Sequence, residues 1–214
     1  MRLLGVDTAL GACSVAVVED GATLAHRFEV MERGHAEALA PMVEEAMRDA
    51  GLAFAALDRL AVTTGPGTFT GQRVGLAFMR GLRVALKKPL TGVTTLQAMG
   101  AAAMAQTGLH RAAALHDARR GEVYLQIFEG ATGLAPPAVL PLDAAIARIA
   151  MQGRIALAGT AAPLAAERIA DAVLSTIRQP DALWVARLAA GLPADDTIPA
   201  PLYLRAPDAK IPAA

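Results

Sequence analysis

The sequence predicts an α/β protein built as two related lobes, each a mixed sheet covered by helices. Three observations carry that reading. The first half runs β-β-β-α-β-α-β-α, three antiparallel strands followed by alternating helices and strands. The second half restarts the same grammar, Leu3–Asp7–Val18 being echoed by Ala113–Asp117–Phe128 as apolar strand, acid, turn and apolar strand. Finally, 214 residues with 54% hydrophobic and 19% charged side chains suffice for a sizeable core and exclude a disordered chain. The lobes are placed at residues 1–108 and 109–214.

Leu3 to Val6 reads as a short strand ending at Asp7-Thr8. Ala12 to Val18 is a second strand, and Asp20-Gly21 turns it into a third, Thr23 to Phe28. From about Ala36 to Ala50 the period becomes helical, with Leu39, Met42, Val43, Ala46, Met47 and Ala50 on one stripe. Pro41 begins the regular part or kinks it, and Gly51 stops it. Leu57 to Val62 is the next strand. The helix after it, about Gly71 to Lys87, is apolar over much of its circumference, and such a helix is covered by its own domain or by a partner. Arg73, Arg80, Arg83 and Lys87 gather on one side of it, a stripe that suits a solvated edge as well as a functional one. Pro89 to Val93 is a strand, and Thr94 or Thr95 caps an alanine-rich helix ending near Gly108. In the second half, strands are expected at Ala112–Leu115, Glu122–Phe128 and Ile155–Ala158. A Gly/Pro-rich connection spans Gly130–Pro137, a helix spans about Leu142–Met151, and two alanine-rich helices follow. The tail carrying Leu202-Tyr203-Leu204 is expected to be an ordered strap, free to pack back on the first lobe.

Between the strand at Leu60–Val62 and the long helix lies Thr63-Thr64-Gly65-Pro66-Gly67-Thr68-Phe69-Thr70-Gly71-Gln72-Arg73-Val74-Gly75. Glycines permit positive φ, and a helix start exposes N–H groups under partial positive charge, so the turn suits a phosphate. It equally suits a tight joint with Thr70 as helix cap. The Gly-Lys-Ser/Thr of a Walker loop is absent. Asp7, at a strand end, either faces a cleft shared with Asp117 or caps its own turn.

Composition narrows the classes. Lys+Arg and Asp+Glu are 20 each and aromatics only 4%, which argues against gripping nucleic acid alone. One cysteine, Cys13, excludes an intramolecular disulfide and a multi-thiolate metal site. His26, His35, His110 and His116 lack zinc-ligand spacing, and the residue four beyond His35 is Leu39. No apolar run reaches the ~18 residues of a membrane span, and the N-terminus does not read as a signal peptide. A cytoplasmic location without membrane contact is expected.

Several blocks resemble a known family. Leu4-Gly5-Val6-Asp7-Thr8 with Ala12–Ala16, Gly34-His35-Ala36-Glu37 with Leu39–Met42, and Gly65-Pro66-Gly67-Thr68-Phe69-Thr70-Gly71 with Arg73-Val74-Gly75 are similar to the TsaB (YeaZ) family. So are Asp117-Ala118-Arg119-Arg120-Gly121-Glu122-Val123-Tyr124 and the tail Tyr203 to Lys210. The blocks run in order along the whole chain. Two departures stand out: Ala9, where the family often has a hydroxyl, and Gln72, where an apolar residue is common.

The resemblance implies two tandem actin-like, ribonuclease-H-like (ASKHA) lobes. It implies a non-catalytic scaffold or activating subunit in making threonylcarbamoyladenosine beside the anticodon of tRNAs that read A-starting codons. Such a subunit heterodimerises with a TsaD-type transferase and recruits a TsaE-type ATPase, touching tRNA only through the complex. The family's dimer contact uses the two helices of the first lobe. Here that implies an interface of Leu39, Met42, Val43, Ala46, Met47, Arg73, Val74, Gly75, Phe78, Met79, Gly81 and Leu82, with Gly75 and Gly81 admitting a partner backbone. A homodimer through the same face stays open. Asp7, Thr8, Gly65, Gly67, Thr68, Thr70 and Arg73 are the candidates for phosphate or nucleotide contact. No catalytic residue, metal or cofactor of its own is expected, and ATP or ADP would belong to the assembled interface. The alternative is an independent actin-like ATPase or small-molecule kinase using Asp7 and Asp117. A peptidase is disfavoured by the missing zinc spacing and by a Cys13 set in an apolar strand.

Overall fold

The computed structural model describes residues 1–193 and 197–205. The first sheet contains β1 (Arg2–Asp7), β2 (Ala12–Glu19), β3 (Ala22–Val30), β4 (Arg59–Thr63) and β5 (Leu90–Val93), in the order β3-β2-β1-β4-β5. β1 pairs antiparallel with β2 and parallel with β4. The second sheet contains β6 (Arg111–Asp117), β7 (Glu122–Glu129), the two-residue β8 (Thr132–Gly133), β9 (Ala138–Pro141), β10 (Ile155–Ala158) and β11 (Ala172–Leu174). β9 and β6 both pair antiparallel with β7, and β10 pairs parallel with β6 and β11. Reading β9-β7-β6-β10-β11 reproduces the order and directions of the first sheet. The echo in the sequence is therefore a structural repeat.

Six helices accompany them: α1 (His35–Asp49), α2 (Phe69–Leu86), α3 (Thr95–Thr107), α4 (Leu142–Ala150), α5 (Ala162–Ala166) and α6 (Ala182–Ala190). α1 and α2 cover the first sheet, Leu39, Met42, Val43, Met47, Leu76 and Met79 meeting Leu4, Val6, Val15 and Leu60. α4 and α5 cover the second, where Ile146 and Ile149 meet Leu115, Leu125 and Leu157. The remaining two are exchanged. α3 follows the first sheet but buries Leu96, Met99 and Ala103 against Ala112, Phe128 and Ala156 of the second. α6 follows the second sheet but buries Val185, Ala186 and Ala189 against Leu3, Ala61 and Val93 of the first. This middle layer needs small residues. A Cβ on Gly5 would lie 2.6 Å from the Ala182 carbonyl of α6, and one on Gly100 would lie 2.7 Å from the Phe128 ring. The alanines of α3 and α6 admit close packing on several faces at once.

Departures from the sequence reading are local. α2 begins at Phe69, and its cap is Thr68, whose side chain accepts from the Gly71 amide at 3.0 Å; Thr70 is an exposed first-turn residue. Pro41 sits within α1 rather than starting it. Strands β8, β9 and β11 are not expected from the sequence: they run two to four residues, and none has the continuous Ile/Leu/Val-flanked run between turn signals that marks β5 and β10. Ala206–Lys210 of the tail block lie outside the described residues.

Candidate functional site: the interlobe cleft and the outer face of the first lobe

At the joint of β4 and α2 the polar groups are largely spent on the protein itself. The Thr68 amide donates to the Ala9 carbonyl at 2.8 Å, and the Thr8 hydroxyl donates to the Gly71 carbonyl at 2.7 Å. The Thr95 amide and hydroxyl donate to the carbonyls of Gly65 and Pro66 at 2.9 and 2.7 Å, and the Gly65–Pro66 peptide is cis. The glycines mark close approach: Cβ atoms on Gly67 and Gly71 would each stand 2.3 Å from a carbonyl oxygen, of Ala9 and Thr8 respectively. Gly65, at φ 106°, instead packs against the Gln72 side chain. Two donors that a phosphate would use, the amides of Thr68 and Gly71, already have acceptors. The joint clamps α2 to the β1–β2 turn.

Asp7 is fully buried and takes no part in the cleft wall. Its Oδ1 accepts from the Thr63 hydroxyl at 2.6 Å and the Ala9 amide at 3.2 Å, while Oδ2 has no partner. Burial pushes its pKa up to about 7, against the lowering effect of those two bonds. Asp117 differs: it is exposed, lines the cleft, and accepts from the Arg119 amide at 2.8 Å. The expectation that both acids face a shared cleft therefore holds for Asp117 and fails for Asp7. The neighbour His116 is buried, its Nδ1 has no partner, and its pKa is driven down to about 4 mainly by desolvation. Sequence spacing gave no sign of it, since only burial makes this histidine unusual.

The cleft between the lobes encloses about 720 Å³. Its wall takes Gly67, Thr68 and Gln72 from the first lobe and His116, Asp117 and Arg119 from the second, and residues 202–205 of the tail complete it. Among the described residues no three His, Cys, Asp or Glu side chains cluster as metal ligands. Cys13 is buried, and burial pushes its thiol up to about 12, so it is no nucleophile at neutral pH.

The inferred partner residues divide sharply. Leu39, Met42, Val43, Ala46 and Met47 of α1, with Gly75 and Met79 of α2, are buried inside their own lobe, which corrects their placement on an interface. Gly75 serves the lobe core, since a Cβ there would lie 2.7 Å from the Thr8 hydroxyl. Val74, Phe78 and Leu82 are half-buried against the same core. What faces outward is Phe69, Arg73, Ala77, Gly81, Val84 and Ala85. Val84 is 73% exposed and Phe69 52%, and a Cβ on Gly81 would meet nothing within 4 Å. The sequence missed Phe69, Ala77, Val84 and Ala85 because a helix apolar on every side does not say which side is inward. The basic stripe is also partly used. Arg73 donates to the Tyr203 hydroxyl at 3.0 Å and lies 3.5 Å from the Phe69 ring centre, and Arg80 donates to the Pro199 carbonyl at 2.5 Å.

A family model for tRNA N6-adenosine threonylcarbamoyltransferase (TsaD) matches residues 28–158. Over 124 residues the chain is 42% identical to the tRNA threonylcarbamoyladenosine biosynthesis protein TsaB of Escherichia coli (strain K12), covering 58% of this chain and 53% of that protein. A crystal structure from Pseudomonas aeruginosa, of an uncharacterized protein described as similar to the peptidase YeaZ, superposes with a TM-score of 0.80. It is 33% identical and is covered over 95% of this chain and 99% of its own. The chain belongs to the TsaB (YeaZ) family. An uncharacterized protein of Mycobacterium tuberculosis (strain H37Rv) extends the likeness along nearly the whole chain, at 36% identity over 97% of this sequence and 93% of its own. The match spans about half the length of the TsaB proteins of E. coli and Haemophilus influenzae, 53% and 52%. The two lobes thus share the fold of the YeaZ structure, and no helix among the described residues is long and apolar enough to cross a membrane.

Proposed function

We propose that this TsaB-family chain is a non-catalytic subunit of tRNA threonylcarbamoyladenosine biosynthesis. It docks a TsaD-type transferase through the outer face of α2, and the resulting pair recruits a TsaE-type ATPase. The observation that carries this reading is the outward ridge of Phe69, Ala77, Gly81, Val84 and Ala85. Small residues at 77, 81 and 85 repeat every four positions, so a facing helix can approach closely where Gly81 and the alanines lie. Val84 supplies an apolar anchor at one end of the ridge, and at the other Phe69 stacks with Tyr203 of the tail. The same ridge would serve a homodimer in the absence of the transferase. In this reading tRNA meets the complex rather than this chain alone, in keeping with a net charge of zero. Any ATP or ADP is held at the assembled interface.

The test is reconstitution. Light scattering of the chain with its TsaD-type partner is expected to give a heterodimer, and threonylcarbamoyl transfer to tRNA is expected to require both. Persistent failure to associate at micromolar concentration, or transfer at full rate without this chain, would sink the proposal.

A further inference from the structure

The described part of the tail, residues 197–205, touches both lobes and lines the cleft between them at 202–205. Its attachments to the first lobe are several. Pro199 accepts from Arg80 and packs over Gly92, where a Cβ would stand 2.9 Å from its ring. The Leu202 amide donates to the Thr64 carbonyl at 2.7 Å. Tyr203 stacks on Phe69 at 5.8 Å between ring centres and accepts from Arg73. Among the described residues, Arg205 ties the tail to the second lobe. Arg205 donates to the Ala118 carbonyl at 2.9 Å and pairs with the Glu122 carboxylate.

The segment that Arg205 grips is conformationally costly. Between β6 and β7, Arg119 and Arg120 hold φ of 65° and 59°, ahead of Gly121 at 74°. Left-handed backbone at successive non-glycine residues is strained and persists where surrounding contacts fix it. The Ala118 amide bonds to Glu122 and the Glu122 amide to Arg119, so Arg205 holds both ends of the turn at once. Ala118 and Arg119 line the cleft, as do Leu202, Tyr203, Leu204 and Arg205. None of the cleft wall comes from α3 or α6, the exchanged helices that otherwise bind lobe to lobe.

We propose that residues 197–205 are a latch, riveted to the first lobe and clasped to the second by Arg205, whose release opens the interlobe cleft. The middle layer of α3 and α6 is then the hinge, and the β6–β7 turn is the catch. The many-point attachment on α2 and β5 keeps the strap on the first lobe while the charged clasp of Arg205 lets go. A charge-assisted clasp that is half-exposed, with Arg205 and Glu122 side chains 24% and 37% accessible, is strong enough to hold and cheap enough to break. The proposal concerns this chain alone and does not depend on the docking role of α2.

The test uses the full chain carrying Glu37→Cys on α1 and Ala147→Cys on α4, both exposed positions in opposite lobes. Cys13 is buried, so spin labels attach only at these two sites. Pulsed dipolar spectroscopy on the parent is expected to give one narrow distance. Arg205→Ala is expected to add a second, longer population, and Arg205→Lys to restore most of the short one. In Arg205→Ala the amides of Ala118 and Glu122 should exchange about tenfold faster or more, as expected for loss of a charged hydrogen bond. The Leu202 amide should change far less. Glu122→Gln supplies the same comparison should Arg205→Ala fold poorly. A distance distribution unchanged by either variant overturns the latch, whatever the amides do.

Discussion

The two lobes share one strand order and one kind of joint, yet they divide the outer work unequally. In the first, α1 and α2 run 15 and 18 residues. Their counterparts in the second, α4 and α5, run nine and five. Both joints are tightened by a glycine: Gly67 against the Ala9 carbonyl, and Gly159, at φ 102°, with a Cβ position only 2.1 Å from the Leu115 carbonyl. The buried titratable groups also differ. The first lobe buries an acid held near neutrality, Asp7, and the second buries a neutral base, His116. A repeat thus conserves the geometry that closes each sheet while leaving surface and charge free to diverge. The extended helix of the first lobe carries an outward apolar ridge that Tyr203 meets at its Phe69 end.

The largest effects should come from breaking what the lobes share. Gly159→Leu, and Gly75→Leu beneath α2, force a side chain into carbonyl or hydroxyl contact. Each should cost about 3 kcal/mol or more in urea or thermal unfolding. Either variant melting within about 0.5 kcal/mol of the parent would show that these joints have slack.

Next come the two buried groups, which separate the lobes by sign. Asp7 has a folded pKa of about 7 against an unfolded value near 3.8, so the folded chain holds an extra proton and stability falls as pH rises from about 4 to about 7. His116 has a folded pKa of about 4 against 6.5, so the unfolded chain binds the extra proton and stability rises over roughly the same window. In the parent these trends oppose each other. Asp7→Asn should unmask a rise between pH 4.5 and 6.5, and His116→Gln a decline, each on the order of 2–3 kcal/mol. Parallel profiles for the two variants in chemical denaturation would contradict the assignment.

A smaller effect tests the helix starts. Thr68→Ala removes the side-chain cap of α2 and should cost ~1 kcal/mol, whereas α4 begins at Pro141 without such a cap to lose. Smallest in stability is Gly81→Leu, expected within ~0.5 kcal/mol of the parent because the position faces open space. The same variant should nevertheless abolish association with a TsaD-type transferase. Wild-type affinity in folded Gly81→Leu would remove α2 from the interface, and a collapse of the fold would refute its outward placement.

Much of the fold was legible because its signals are local. Asp20-Gly21 with alternating neighbours announces the hairpin of β2 and β3, and the period of Leu39, Met42, Val43 and Ala46 announces α1. The repeat was readable from two strand–acid–turn–strand blocks. The site was less so. The inward stripe of α1 was found as apolar, but its destination was misassigned, since burial against a sheet and burial against a partner leave the same pattern. Gly75 and Gly81 look alike in the chain, yet one supports the core and the other lies on open surface.

By itself, then, the sequence determined element type, order, the glycine-marked joints and the family, because periodicity, turn chemistry and motif are properties of neighbouring residues. Tertiary structure alone decided that α3 and α6 exchange sheets, that Asp7 is sealed away while Asp117 faces the cleft, and that Arg205 reaches Glu122 across 83 positions of chain. Each of those outcomes depends on what packs against a residue from elsewhere in the chain, and no local pattern carries that information.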